Sequence, residues 1–275
     1  MGISDYAKEL EDYGYGNFFD YVKVIGIGAG GAIVLDYFSE VGNDLFPERL
    51  ILSNQDDVDN LQDFVVGCNW LFVIMDVEDL NFAAQVTKIV EQSNLLITSL
   101  ILCSTATDVR LADIPESFGT WIILPEDKIA ESGLTKNAAI YRAVNMTTSI
   151  IPVMKKRDNL IGMDFVEIPR TIENFGKACI GFGENLDAGN PALDAVKKAL
   201  KSPLFIEDIR HAKKVLLVFV GKIDFLNMLE MNEAANFLDE LRQADWDITL
   251  WQVDLDEPFD KDGMAAFVLA TNFKK

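Results

Sequence analysis

The first half of the chain alternates short apolar runs with amphipathic stretches. The apolar runs are too continuous to leave a polar face, which is typical of strands in a parallel sheet covered by helices on both sides. The predicted strands are Tyr21–Ile27, Leu50–Leu52, Trp70–Met75, Leu95–Leu102 and Thr120–Leu124. Helical composition and spacing predict helices over 32–38, 79–92 and 136–157. The pattern therefore predicts an α/β domain that ends in a long helix.

The order of elements changes beyond about residue 160. Two helices are predicted first, followed by strand, helix, strand and strand at 215–220, 230–242, 248–253 and 265–271. This order indicates a second domain of the α+β class. We predict an N-terminal arm over 1–19, a parallel-sheet domain with the long helix over 20–160, and the α+β domain over 161–275. The arm is acidic and aromatic, and we expect it to pack on the body or to dock on a partner.

Charge and composition exclude several classes of function. The 275 residues include 24 Lys and Arg against 44 Asp and Glu, a net charge of −20, so no basic surface for nucleic acid is expected. No apolar window reaches the roughly 18 residues of a membrane span, and the N-terminus lacks the features of a signal peptide. We therefore expect a cytoplasmic protein. Cys68, Cys103 and Cys179 have no metal-ligand or disulfide spacing, and we predict no metal site.

A glycine-rich turn follows the first predicted strand. The residues Gly26, Gly28, Ala29, Gly30 and Gly31 satisfy the G-x-G-x-x-G pattern between a strand and a helix. Glycines there allow a phosphate close to the backbone, and the helix N-terminus adds N–H donors. Three interpretations stay open: a dinucleotide fold, another nucleotide fold, or a tight turn that binds nothing. A dinucleotide fold also needs an acid at the end of the second strand, where only Asp56 is available, and it comes late.

Three segments resemble the FtsZ branch of the tubulin superfamily. The first, VKVIGIGAGGAIV, resembles the family's first phosphate loop, and the second, LIGMDFVEI, resembles its synergy loop. The most specific match is IENFGKACIGFGEN, then ALDAVKKALKSPLF, then the final strands ending FVLATNF. The resemblance covers roughly residues 21 to 273. It implies a parallel-sheet nucleotide-binding domain of the tubulin/FtsZ GTPase type, a long connecting helix and an α+β C-terminal domain.

The resemblance also implies a GTP site shared between two subunits. In the family, GTP lies on one subunit, and two acids from the synergy loop of the next subunit polarise the attacking water. The matching residues are Asp164 and Glu167, which makes them the candidate catalytic pair, while the loop's Asn is replaced by Gly162. The alternative is that both acids simply precede and cap the next helix.

The phosphate-binding half of that site departs from the family. Where the family has a glycine-rich loop after its third strand, this chain has Asp76, Glu78 and Asp79. Carboxylates near phosphates repel them, so we expect weak binding of GTP or GDP, with Mg²⁺ if nucleotide binds. The alternative is that these acids cap the helix that follows them. Whether the segment 76–82 stands near the phosphate loop is left open by the sequence. About thirty residues of the family, including a loop that senses the γ-phosphate, are also missing before Trp70.

The resemblance places some of the family's base-pocket residues in this chain and replaces others. The family's I-P-N-D-R resembles LPEDK, which places Glu126 where an Asn contacts guanine and also includes Lys128. The family's F-R-A-A-D/N resembles YRAVN, which keeps an aromatic ring, Tyr141, for stacking and an amide, Asn145, for the base edge. The Asn that follows the family's first loop is replaced by Ile33.

These observations favour an FtsZ-like protein with a degenerate guanine-nucleotide site. We expect it to act through head-to-tail self-assembly or by binding and modulating an FtsZ filament. Because the chain ends at Lys275, we expect it to lack the C-terminal tether peptide of FtsZ. One alternative is an active, assembly-dependent GTPase, and another is a dinucleotide-binding protein of the Rossmann class.

Overall fold

The computed structural model describes residues 22–40, 48–68, 70–91, 95–110, 113–133, 135–136, 176–185, 191–221, 227–241, 247–254, 264–271 and 273. These residues divide into two compact units between Ile123 and Leu124. The division falls inside a strand, and the boundary predicted at residue 160 lies outside the described residues. None of the described helices combines the length and the hydropathy that crossing a membrane requires.

The first unit is built on a parallel sheet. Its strands are β1 Val22–Ile27, β2 Glu48–Leu52, β3 Trp70–Asp76, β4 Leu96–Cys103 and β5 Thr120–Pro125. Its helices are α1 Gly28–Glu40, α2 Leu61–Phe64 and α3 Leu80–Glu91. The strand order is β2-β1-β3-β4-β5, and the pairs β1 with β2, β1 with β3 and β3 with β4 are parallel. The strand predictions for this half are confirmed to within two residues at each end.

The core of the first unit explains why its strands could be found by their apolar runs. Every residue of β1, β4 and β5 is buried, and β3 is buried up to its last residue. Trp70 is fully buried and still satisfies its indole N–H, which donates to Thr98 Oγ1 at 3.0 Å. Burial on both faces removes the need for alternating polar positions, which leaves continuous apolar sequence.

The second unit contains a mixed sheet. Its described elements are α4 Glu126–Glu131, β6 Gly176–Asn185, α5 Pro191–Leu200, β7 Lys214–Gly221, α6 Met228–Leu241, β8 Asp247–Asp254 and β9 Met264–Thr271. The order of the four strands is β6-β9-β7-β8, with β9 antiparallel to β6 and β7, and β7 parallel to β8. Buried residues of α5 and α6 join residues of β6, β7 and β9 in one apolar cluster.

The predicted order of two helices before the strand at 215 is wrong for the described residues. Strand β6 comes first, and α5 is the described helix between it and β7. Glycines interrupt the apolar pattern of β6, and glycine weakens a strand that has to stand alone. Here β6 is held by pairing with β9, for example Phe182 opposite Phe267, whose rings lie 5.0 Å apart.

Candidate functional site

The glycine-rich turn joins β1 to α1, as the sequence predicts. The strand ends at Ile27, and Gly28 begins the helix with a φ of 68°, in the left-handed region that favours glycine. Ala29 is exposed between the buried Gly30 and the half-buried Gly28. The turn therefore has the strand-turn-helix geometry that a phosphate loop requires.

Two glycines of the turn serve to pack the helix against the sheet. A Cβ on Gly26 would lie 2.7 Å from the carbonyl atoms of Gly31. A Cβ on Gly31 would lie 2.7 Å from the oxygen of Ile74, on the neighbouring strand β3. Real Cβ atoms do not approach backbone so closely, so Gly26 and Gly31 are required by the fold whether or not a ligand binds.

The other two glycines face side-chain carboxylates. A Cβ on Gly28 would lie 2.0 Å from Oδ2 of Asp79, and a Cβ on Gly30 would lie 1.9 Å from Oδ2 of Asp76. Both carboxylates therefore lie directly against the glycine turn. The sequence left open whether the segment 76–82 stands near the phosphate loop. The structure places Asp76 and Asp79 of this segment beside it.

The strand register explains why the acids reach the turn. In the parallel pair β1 and β3, Gly26 is opposite Ile74, so β3 ends at Asp76 beside the end of β1. A short 3-10 turn, Val77–Asp79, then leads into α3. Asp76 precedes this turn with extended backbone, and its side chain makes no capping hydrogen bond there. Asp76 therefore does not cap the turn Val77–Asp79 through its side chain.

The electrostatic environment of the turn is acidic. Burial raises the pKa of Asp79 above its usual range, and the charges of Asp76 and Glu78 raise it further. Neither 26–37 nor 76–82 contains Lys or Arg. The two carboxylates lie at the N-terminal end of α1, where the partial positive charge of the helix favours anions. The chain thus supplies its own negative charge at this helix end.

The basic side chain of Lys23 lies in this sheet but contacts groups outside the glycine turn. Lys23 of β1 is buried, and its ammonium group donates to the carbonyl oxygens of Phe64 at 2.6 Å and Val66 at 3.1 Å. It also pairs with Glu48 at 2.5 Å and lies 5.1 Å from the ring centre of Phe64. Lys23 was not among the residues predicted to be functional, although a lone lysine inside an apolar strand is a signal for a buried partner.

The acid that a dinucleotide fold needs is not at the end of β2. The strand ends at Leu52, and Asp56 lies beyond it in the 3-10 turn Gln55–Asn60. The neighbouring Asp57 is used locally, because its Oδ2 accepts from the backbone N–H groups of Ser53 at 2.7 Å and Asn54 at 3.0 Å. This geometry gives no support to the Rossmann alternative.

The residues expected at a base pocket are described only in part. Glu126 and Lys128 lie in α4, where Glu126 pairs with Lys136 at 2.7 Å and Lys128 pairs with Glu131 at 2.8 Å. The hydrogen bond from Lys128 to Glu131 raises the lysine's pKa. Ile33 is 55% exposed on α1. Tyr141, Asn145, Asp164 and Glu167 lie outside the described residues, so their roles stay predictions.

Comparison with known proteins supports the resemblance. Residues 176–274 match the model of the FtsZ family, C-terminal domain. Cell division protein FtsZ 1 of Thermococcus kodakarensis is 29% identical over 161 residues, which cover 55% of this chain and 41% of that protein. FtsZ of Methanothermobacter thermautotrophicus is 30% identical over 138 residues, 47% of this chain and 34% of that protein. The matches thus span about two fifths or less of the curated relatives.

Solved structures extend the similarity to the whole fold. A mutant FtsZ from M. jannaschii superposes with a TM-score of 0.73 at 18% identity, covering 99% of this chain and 96% of that one. CetZ2 from Haloferax volcanii, solved as a GTPgS bound protofilament, superposes with a TM-score of 0.69 at 14% identity, covering 93% and 94%. The predicted fold class, a mixed α/β fold with a mostly parallel sheet, is confirmed.

Proposed function

We propose that this chain, whose residues 176–274 match the C-terminal domain of the FtsZ family and whose fold is that of FtsZ, acts through assembly and not through GTP turnover. It forms head-to-tail polymers of its own or binds and modulates an FtsZ filament, and its guanine-nucleotide site is degenerate. The two carboxylates against Gly28 and Gly30 carry this proposal.

The argument from these carboxylates is electrostatic. Nucleotide phosphates would have to lie at the turn, beside Asp76 and Asp79. Two like charges about 5 Å apart at an effective dielectric near 20 repel each other by roughly 3 kcal/mol. No lysine or arginine of 26–37 or 76–82 offsets this repulsion. Several such pairs are comparable in size to the free energy of micromolar binding, about 8 kcal/mol.

The proposal of assembly is supported by the relatives. Among the solved structures with this fold are an FtsZ dimer from M. jannaschii and protofilaments of CetZ2 and TubZ. These proteins assemble through surfaces of the same fold. At identities of 11–18%, the similarity to this chain extends to the fold and not to the surface residues. This chain keeps the fold but places its own acids at the phosphate turn. We therefore infer that its function depends on the surfaces through which such proteins assemble.

Sedimentation and GTP turnover test the proposal together. We expect the full chain to sediment on its own without nucleotide, or to change the mass or length of GTP-grown FtsZ polymers when added in substoichiometric amounts. We expect no GTP hydrolysis at any protein concentration. Hydrolysis that rises more steeply than linearly with protein concentration, and that Asp164→Ala abolishes, would instead establish the assembly-dependent GTPase. A chain that neither sediments nor affects FtsZ polymers would contradict the assembly role.

A further inference from the structure

The backbone places both acidic residues beside the glycine turn. Asp76 is the last residue of β3, whose register with β1 places it beside the turn. Asp79 lies three residues later in a 3-10 turn that leads directly into α3. Gly28 and Gly30 have no side chains that could keep the two carboxylates away. Two adjacent strands and two helix starts therefore place Asp76 and Asp79 beside the turn, where their carboxylates lie against Gly30 and Gly28.

We propose that Asp76 and Asp79 form an autoinhibitory pair that occupies the space over Gly28 and Gly30 and excludes phosphate from the turn. This inference rests on the proposed function, because it names the residues that exclude nucleotide from that same site. It makes a stronger claim than weak binding: removing this pair alone restores anion binding to the turn.

The exclusion has a steric part and an electrostatic part. The oxygens of Asp79 and Asp76 lie only 2.0 and 1.9 Å from where Cβ atoms of Gly28 and Gly30 would be. A phosphate oxygen cannot lie beside the glycines where a carboxylate oxygen already lies, since non-bonded oxygens need about 2.5 Å or more even with a proton between them. Each carboxylate also repels a phosphate through its charge. Once both acids are gone, the turn is the free N-terminus of a 13-residue helix, which favours anions.

The two parts are separated by two double variants. Asp76→Asn with Asp79→Asn removes the charge and keeps most of the volume, whereas Asp76→Gly with Asp79→Gly removes both. The matched control is Asp59→Asn with Asp63→Asn, two exposed acids of the same unit that do not adjoin the turn. The control removes the same net charge from the protein, so it reports how much of any gain comes from overall charge.

The experiment is calorimetric titration of each full-length protein with pyrophosphate at low ionic strength. We expect the Asn pair to bind at least about 10-fold more tightly than the wild type and the Gly pair more tightly still, because local charges dominate over distant ones. The control should gain less than about 3-fold. A gain in both turn variants no larger than that of the control would overturn the inference, as would wild-type binding equal to that of the Asn pair.

Folding of the variants is read by circular dichroism and thermal melting. We expect the Asn pair to fold like the wild type. If both pairs fail to fold, the contact supports the turn and does not merely block it, and the inference is overturned. The outcome is separate from that of the proposed function, since a wild type that neither sediments nor changes FtsZ polymers contradicts the assembly role alone. A wild type that binds no nucleotide, with no gain in the Asn pair, overturns only the inference.

Discussion

Glycines lie against other atoms in both units, but against different kinds of atoms. In the turn of the first unit, Gly28 and Gly30 face the carboxylates of Asp79 and Asp76. In β6 of the second unit, a Cβ on Gly181 would lie 2.2 Å from the carbonyl oxygen of Ala199, and a Cβ on Gly183 would lie 2.0 Å from that of Ala195. The turn glycines thus meet the ends of side chains, whereas the strand glycines meet the backbone of α5.

The difference decides what each glycine is needed for. Backbone of a packed helix cannot move away, so Gly181 and Gly183 are fixed by the packing of α5 on β6. Lys198 of α5 strengthens this contact by donating to the backbone oxygen of Glu184 and to Asn185 Oδ1, both at 2.9 Å. A side-chain carboxylate can rotate away or be replaced. A glycine pattern in the sequence therefore indicates that other atoms come close to the backbone. The kind of atom that lies against each glycine shows whether the contact serves packing or the exclusion of a ligand.

The largest effect is expected at β6. Gly183→Ala forces α5 away from the sheet, and we expect the free energy of unfolding to fall by about 3 kcal/mol, as for other overpacked cores. Urea unfolding followed by circular dichroism measures it. The control is Gly133→Ala, where a Cβ meets nothing within 4 Å but φ is 74°, so strain alone should cost about 1 kcal/mol. Equal losses in the two variants would contradict the packing role of Gly183.

The second-largest loss of stability is expected at Lys23, which holds the strand that leads into the turn. Lys23→Met keeps the apolar stem but leaves the carbonyls of Phe64 and Val66 without their donor. We expect a loss of about 2 kcal/mol in the free energy of unfolding and faster hydrogen exchange at the amide of Cys68. Lys88→Met, at an exposed position of α3, should change the free energy of unfolding by less than about 0.5 kcal/mol. A Lys23→Met protein as stable as this control would show that the buried ammonium is not needed.

A smaller effect is expected at the turn itself. Gly30→Ala meets only the end of the Asp76 side chain, which can rotate, so we expect a loss under about 1 kcal/mol. In an Asp76→Gly background the same substitution should become neutral or stabilising, because alanine favours helix over glycine. Denaturation of the four proteins of this cycle gives the coupling between the two positions. An unchanged cost in the Asp76→Gly background would place the obstacle in the backbone instead.

The smallest effect concerns the charge of Asp79. Its pKa is raised in the folded protein, so the charged form disfavours folding at neutral pH, and this cost disappears as the pH falls through the folded pKa. Asp79→Asn should therefore be more stable than the wild type at pH 7, by under about 1 kcal/mol because the group is only partly buried and water screens its charge. The difference should shrink towards pH 4. A variant less stable than the wild type at pH 7 would mean that the charge supports the turn.

The sequence was sufficient where burial alone determines structure. The strands of the first unit were predicted because they are buried on both faces, which leaves unbroken apolar runs such as Trp70–Met75. Strand β6 was missed because its glycines are selected by the approach of α5 and its strand state depends on pairing with β9. Contacts of that kind join residues far apart in the chain, and no local pattern reports them.

The candidate site was predictable to the same extent. The glycine turn was found from its position between a strand and a helix. The acids after β3 were found from the resemblance to the FtsZ family, which has a glycine-rich loop at that place. Their contact was left open, because it depends on the register between β1 and β3 and on the path of a three-residue turn. Lys23 was not singled out, because the two carbonyl groups that accept its hydrogen bonds come from a segment more than forty residues away.

Calorimetric titration of the wild-type full-length protein with GTP and Mg²⁺ shows whether the two carboxylates exclude nucleotide from the turn. If Asp76 and Asp79 keep phosphates from the turn, no binding heat should appear up to about 1 mM nucleotide, which corresponds to less than about 4 kcal/mol of binding free energy. Binding at micromolar concentrations or tighter would contradict the account, because the phosphates would then lie at a turn that the two carboxylates occupy.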